Sequence, residues 1–99
     1  MSVRTATLDA NSETFEIAVP FGANLAASMT ITGTITVTWT ARVDGGSNAP
    51  TVKDSSDNDE VYTASDHFYA VGSGMVYIAT ASGVSGGSCD IEASVGRAS

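Results

Sequence analysis

The sequence predicts an all-β fold: a small antiparallel β-sandwich, jelly-roll or Ig-like, of about six to eight strands. Three observations carry this expectation. A long period-2 run fills residues 31–43, shorter alternating runs recur on either side of it, and clusters of Gly, Asp, Ser and Asn punctuate them. No stretch sustains a 3.6-residue apolar period, so helices are not expected beyond one short turn over residues 26–29.

The longest run reads ITGTITVTWTARV. Ile35, Val37, Trp39, Ala41 and Val43 fall on one face, and Thr36, Thr38, Thr40 and Arg42 on the other. Alternation in β-branched and aromatic residues marks a strand with one buried and one wet face, and Trp39 is expected to anchor the core. Gly33 marks a bulge or bend near its start. Upstream, Phe15, Ile17 and Val19 alternate with Glu16 and Ala18 until Pro20 stops the run. Downstream, residues 61–63 and 67–71 (HFYAV) read as short strands, and residues 75–80 (MVYIAT) as one nearly buried on both faces. Cys89, Ile91, Ala93 and Val95 alternate with Asp90, Glu92 and Ser94. The last two runs, joined across SGVSGG, read as a terminal hairpin. The expected organisation is an extended N-terminal arm over residues 1–10 and a single β-sandwich domain over 11–99. A free arm of this kind is commonly disordered or paired to another subunit's sheet edge.

Composition narrows the function. The chain has 99 residues, 42% of them hydrophobic, enough for one modest core. Eleven acidic against four basic residues give a formal net charge of -7. Too few cations are present to neutralise a nucleic-acid backbone, and an anionic membrane surface is equally disfavoured. Cys89 is the single cysteine, so no intramolecular disulfide forms, which suits a reducing compartment. No apolar run approaches the roughly 20 residues of a membrane helix, and the N-terminal residues lack the apolar stretch of a secretory signal.

Each motif that suggests chemistry has a plainer reading. Gly83-Val84-Ser85-Gly86-Gly87 fits G-x-S-x-G, but a nucleophile elbow requires a following helix, and here a strand pattern follows. The one histidine, His67, would have to supply its base. His67 with Cys89 falls short of the three or four ligands of a zinc site. Asp54, Asp57, Asp59 and Glu60 could offer oxygen to calcium, yet they lack EF-hand spacing and read as a solvated loop. Gly72-Ser73-Gly74 and Gly45-Gly46 precede no helix that could bind phosphate and read as tight turns. Thr34, Thr36, Thr38 and Thr40 form a polar face able to contact a protein or a carbohydrate, although such a face is more commonly just a strand's wet side. No catalytic, cofactor-binding or metal-binding residue is therefore expected, and the chain does not read as an enzyme.

The order of these features resembles small β-sandwich structural proteins of tailed bacteriophages. The resemblance runs from Ile31 to the end, about two thirds of the chain. A threonine-rich strand carries a mid-strand aromatic (Trp39) and runs into an Asp-Gly turn (Asp44-Gly45). A tyrosine-containing strand and a glycine-rich turn follow (Tyr69 to Gly74). Then come Val76-Tyr77-Ile78-Ala79-Thr80, the segment from Ser82 to Gly87, and a closing alternating strand. The N-terminal third does not share the pattern. The resemblance implies a virion component assembled in the host cytoplasm: a capsid decoration or cement protein that binds the major capsid protein or other virion proteins, and itself as a homo-oligomer. The alternative it leaves open is a tail-fibre or surface module that binds a carbohydrate or receptor. That alternative needs exposed aromatics, for which Tyr62, Phe68, Tyr69 and Tyr77 are candidates.

Overall fold

Two strands are too long to stay straight in so small a molecule, and their bending makes the fold. The computed structural model describes residues 3–72 and 74–97. It has six strands: β1 (Val3–Leu8), β2 (Thr14–Val19), β3 (Ala23–Val43), β4 (Val61–Tyr62), β5 (Asp66–Val71) and β6 (Met75–Arg97). All pairings are antiparallel, and no helix occurs among the described residues. A flat 21-residue strand would run about 70 Å, yet the longest dimension of the molecule is 39 Å. Within β3, Trp39 Nε1 lies 3.3 Å from Met29 Sδ, ten residues away. Extended chain would separate those residues by about 33 Å, so β3 folds back over itself.

The bend falls where the sequence places glycine. Pairing of β3 with β6 is regular from Ala23 to Thr32 and again from Thr36 to Val43, with register shifts between Thr32 and Thr36. Gly33 has φ 72°, and a Cβ there would stand 2.6 Å from the Gly86 carbonyl oxygen. Opposite, a Cβ on Gly87 would stand 2.3 Å from the Thr34 oxygen. The two backbones approach at this corner more closely than any side chain permits. The turn from β1 to β2 rounds the same corner. There the Ser12 N–H donates to the Ala81 oxygen at 2.9 Å, and the Val84 N–H to Asn11 Oδ1 at 2.9 Å. Glu13 accepts from the backbone of Asp9 and Ala10, and the Asp9 bond is the main reason its carboxyl sits below its usual range.

Each long strand thus serves two halves of one sheet. In the first half the order is β1, the end of β6, the start of β3, then β5. In the second it is β2, the start of β6, the end of β3, then β4, extended by a bridge from Thr40 to Thr51. Inward residues of the two halves meet in one core. Trp39 from the second half stacks on Phe68 from the first, with centroids 4.3 Å apart and planes 6° apart. Phe68 in turn meets Tyr77 at 5.9 Å. Leu8, Leu25, Met29, Ile35 and Ile91 are among the other fully buried side chains, and no buried side-chain polar atom lacks a partner among the described residues.

The all-β, antiparallel prediction stands, with six strands. Three local expectations change. Residues 26–29 are strand, not a helical turn: small alanines on both faces of ANLAASMT hide an alternation in which Leu25, Ala27 and Met29 point inward. The strand expected at residue 31 therefore begins at Ala23. SGVSGG is not a hairpin turn but a bend inside β6, so the two expected terminal strands are one. Gly83 and Gly86 both have positive φ (59° and 70°), which deflects the chain without reversing it. Residues 3–8 of the expected arm are extended, and they pair with β6 of their own chain. Met1 and Ser2 of that arm, like Ser73 of the glycine-rich turn, lie outside the described residues.

Candidate interaction surface

The outer face of the first half is built from short cross-strand rows. Register places Val3, Ser94, Ala26 and Tyr69 directly across from one another on β1, β6, β3 and β5. The next row is Thr5, Glu92, Ser28 and His67. Ala26 and Ser94 are small, so the larger Val3 and Tyr69 rise on either side of a shallow trough of about 260 Å³. Glu92, Ser28 and His67 line its polar side. The His67 and Tyr69 rings stack at 6.1 Å. Tyr69 is 70% exposed, Val71 76% and Val3 62%. At the same end of β3, Phe21 is 82% exposed in the turn before Ala23, its ring against Gly74. Val43 and Val61, at 59% and 43%, are the other large hydrophobics left exposed among the described residues.

The sequence-derived candidates divide accordingly. Of the four aromatics, Phe68 and Tyr77 are buried in the core, Tyr62 is half-buried and Tyr69 is open. The hydroxyl of Tyr62 donates to Glu60 and reaches the His67 carbonyl oxygen at 3.4 Å. Burial, and then the Glu60 carboxylate, push the Tyr62 phenol above its usual pKa. Phe21 was not singled out by sequence. Its place after Pro20, in a turn, was the available signal that no core could cover it.

The other motifs are not brought together. Ser85 pairs with Thr34 and His67 with Ser28, six residues apart along β3, so no Ser–His pair forms. Asp54 Oδ1 accepts from the Ser56 and Asn58 backbones at 2.8 and 3.0 Å, the Asn58 bond being the larger reason its pKa is lowered. Lys53 pairs with Asp59 at 2.5 Å. These carboxylates fold their own loop. Among the described residues no three His, Cys, Asp or Glu side chains group as metal ligands. Of the threonine face, Thr36, Thr38 and Thr40 are half-buried and only Thr34 is exposed.

Cys89 faces the core and is fully buried. Burial, with a smaller push from Asp90, raises its thiol from 9.0 to about 11. The native state therefore holds the thiol proton more tightly than the unfolded state. The stability this contributes is complete below pH 9 and is lost as pH rises through 11. Urea unfolding at increasing pH should show wild type losing stability faster than Cys89→Ala across that window, with a difference in slope approaching about 1.4 kcal/mol per pH unit. Equal slopes would mean the thiol is not buried.

Comparisons with protein-family models, with curated proteins and with solved structures find no match for this chain.

Proposed function

We propose that this protein is a structural component of a tailed-bacteriophage virion: a head decoration, or cement, protein that binds the major capsid protein and stabilises the shell. The observation that carries the reading is the exposed apolar set Phe21, Tyr69, Val71 and Val3 on a small all-β domain. The order of strands and turns that resembles phage structural proteins supports the setting. In mechanism, covering such a patch at the capsid surface stabilises by about 25 cal/mol per Å² of apolar area, repeated at every copy, and binding only the assembled state shifts stability toward it. The test is mass spectrometry of purified particles from a host carrying this gene. The expected result is this chain in the particle at a copy number comparable with the capsid subunits. Its absence overturns the reading, and a few copies per particle move it to the tail or vertex.

One observation favours the second reading, a tail-fibre or surface module for carbohydrate. The Tyr69 ring stands open beside Glu92, Ser28 and Ser94, an apolar platform next to polar partners. A glycan array separates the two: binding that disappears in Tyr69→Ala supports the module, and no binding removes it.

A further inference from the structure

We propose that copies of this chain join edge to edge, β5 of one lying antiparallel beside β1 of the next, with Tyr69 opposite the next copy's Val3. In the first half of the sheet β1 and β5 are the outermost strands. The four strands alternate in direction, so a neighbour set beside β5 in the same orientation presents its β1 antiparallel, and the sheet continues unbroken.

The backbone is prepared for this. The Ile31 N–H points toward the β5 side of β3, where Ser65 Oγ accepts it at 2.8 Å. Each residue of an antiparallel strand sends its N–H and C=O to one side, and neighbours alternate. Odd residues of β3 therefore bond toward β5 and even residues toward β6. Carried across the register, this turns the polar backbone groups of Tyr69 and Val71 outward from β5, and those of Val3 and Thr5 outward from β1. Tyr62, reaching the His67 carbonyl from beyond the edge, agrees with that phase. Tyr69 opposite Val3 is thus a pair able to exchange backbone hydrogen bonds. At the next pair the His67 N–H already donates to Asp66 Oδ1 at 2.7 Å and its carbonyl accepts from the Tyr62 hydroxyl at 3.4 Å, so the join displaces those two contacts before His67 bonds to Thr5. Neither edge carries proline or lysine, the usual guards of a sheet edge.

The side chains select the same register. The outer row Val3, Ser94, Ala26, Tyr69 has an exposed apolar residue at each end, and the join sets those ends against each other. Arg4, the one cation of β1, then lies opposite Phe68 and diagonal to Asp66, the one carboxylate of β5; to meet it the guanidinium leaves the Phe15 ring, whose centroid is 5.2 Å away in the single copy. Pairing β5 with its own copy would leave Val3 uncovered and Asp66 without a cation. Val3 and Tyr69 are the two exposed apolar ends of one row, so the occupant that covers both is a second copy; the contact is head-to-tail and closes into a ring or propagates as a filament. The inference names a surface for the self-association expected on a virion. It depends on that reading only for its setting, because solution mass tests it and particle composition tests the capsid role.

Light scattering on the sized wild-type protein should give a multiple of the protomer mass, growing with concentration. Tyr69→Lys blocks β5 and Val3→Lys blocks β1. Both positions are exposed, so circular dichroism melts should stay near wild type while self-association weakens at least tenfold in each. Mixing the two variants one to one should give a species of twice the protomer mass, since one good β5 and one good β1 remain. Arg4→Asp should likewise weaken assembly, and Arg4→Asp combined with Asp66→Arg should restore it. A wild-type monomer up to about 1 mM overturns the proposal. A Val3→Lys protein that still assembles while Tyr69→Lys does not, or a mixture that stays monomeric, overturns it in favour of β5 pairing with itself or of no pairing.

Discussion

Replacing Trp39 with alanine is expected to cost about 3–5 kcal/mol, a substantial part of the about 5–15 kcal/mol that a single domain holds in total. The indole is 0% exposed and lies between the two halves of the sheet. It stacks on Phe68, and its N–H donates to Met29 across the fold of its own strand. Truncation removes the packing and leaves a cavity that residues from both halves cannot jointly fill. Trp39→Phe keeps most of the apolar volume and should cost far less, which separates packing from the N–H bond. Urea unfolding followed by circular dichroism checks both. A cost under about 1 kcal/mol for alanine would mean the halves do not close on this ring.

Replacing Gly33 with alanine is expected to be more damaging than its size suggests. Two effects add. The residue has φ 72°, where a Cβ costs roughly 1–2 kcal/mol. The new methyl would also stand 2.6 Å from the Gly86 oxygen and 2.9 Å from the Gly87 Cα, both backbone atoms of the facing strand. Gly22 is the control, with φ 81° and nothing within 4 Å of an added Cβ. Gly22→Ala should therefore show the conformational cost alone. Thermal or urea unfolding of the two variants should place Gly33→Ala lower by at least about 1 kcal/mol. Equal losses would mean β3 and β6 do not approach closely at the corner, and the fold would need another account of how its long strands bend.

How much of this was legible before the structure depended on the residues. The alternation around Trp39 named Ile35, Val37, Trp39 and Ala41 as core correctly, because a period-2 run of bulky residues has only one way to hide them. It also put Val43 on that face, and at the strand's end Val43 is 59% exposed. Phe15, Ile17 and Val19 followed the same logic, as did the inward-facing Cys89. Residues 23–29 were harder, since alanine gives the two faces little contrast. The glycines of SGVSGG look like a turn because local sequence does not distinguish reversal from deflection: both need positive φ, and the partner strand decides between them. At the interaction surface, Tyr69 and Phe68 are neighbours of the same chemical kind, and only the pleat, once its phase was set by β3, sent one out and the other in.

The amino-acid sequence by itself determined that the chain is built of antiparallel strands, which residues form the central core face, and that an acidic surface surrounds it. Those follow from local periodicity and composition, which need no partner to be read. Only the tertiary structure decided that two strands span both halves, that β1 lies on its own β6, and that Val3 and Tyr69 end a common row. Each of these depends on register between residues far apart in sequence, where a one-residue slip would exchange the buried face for the exposed one.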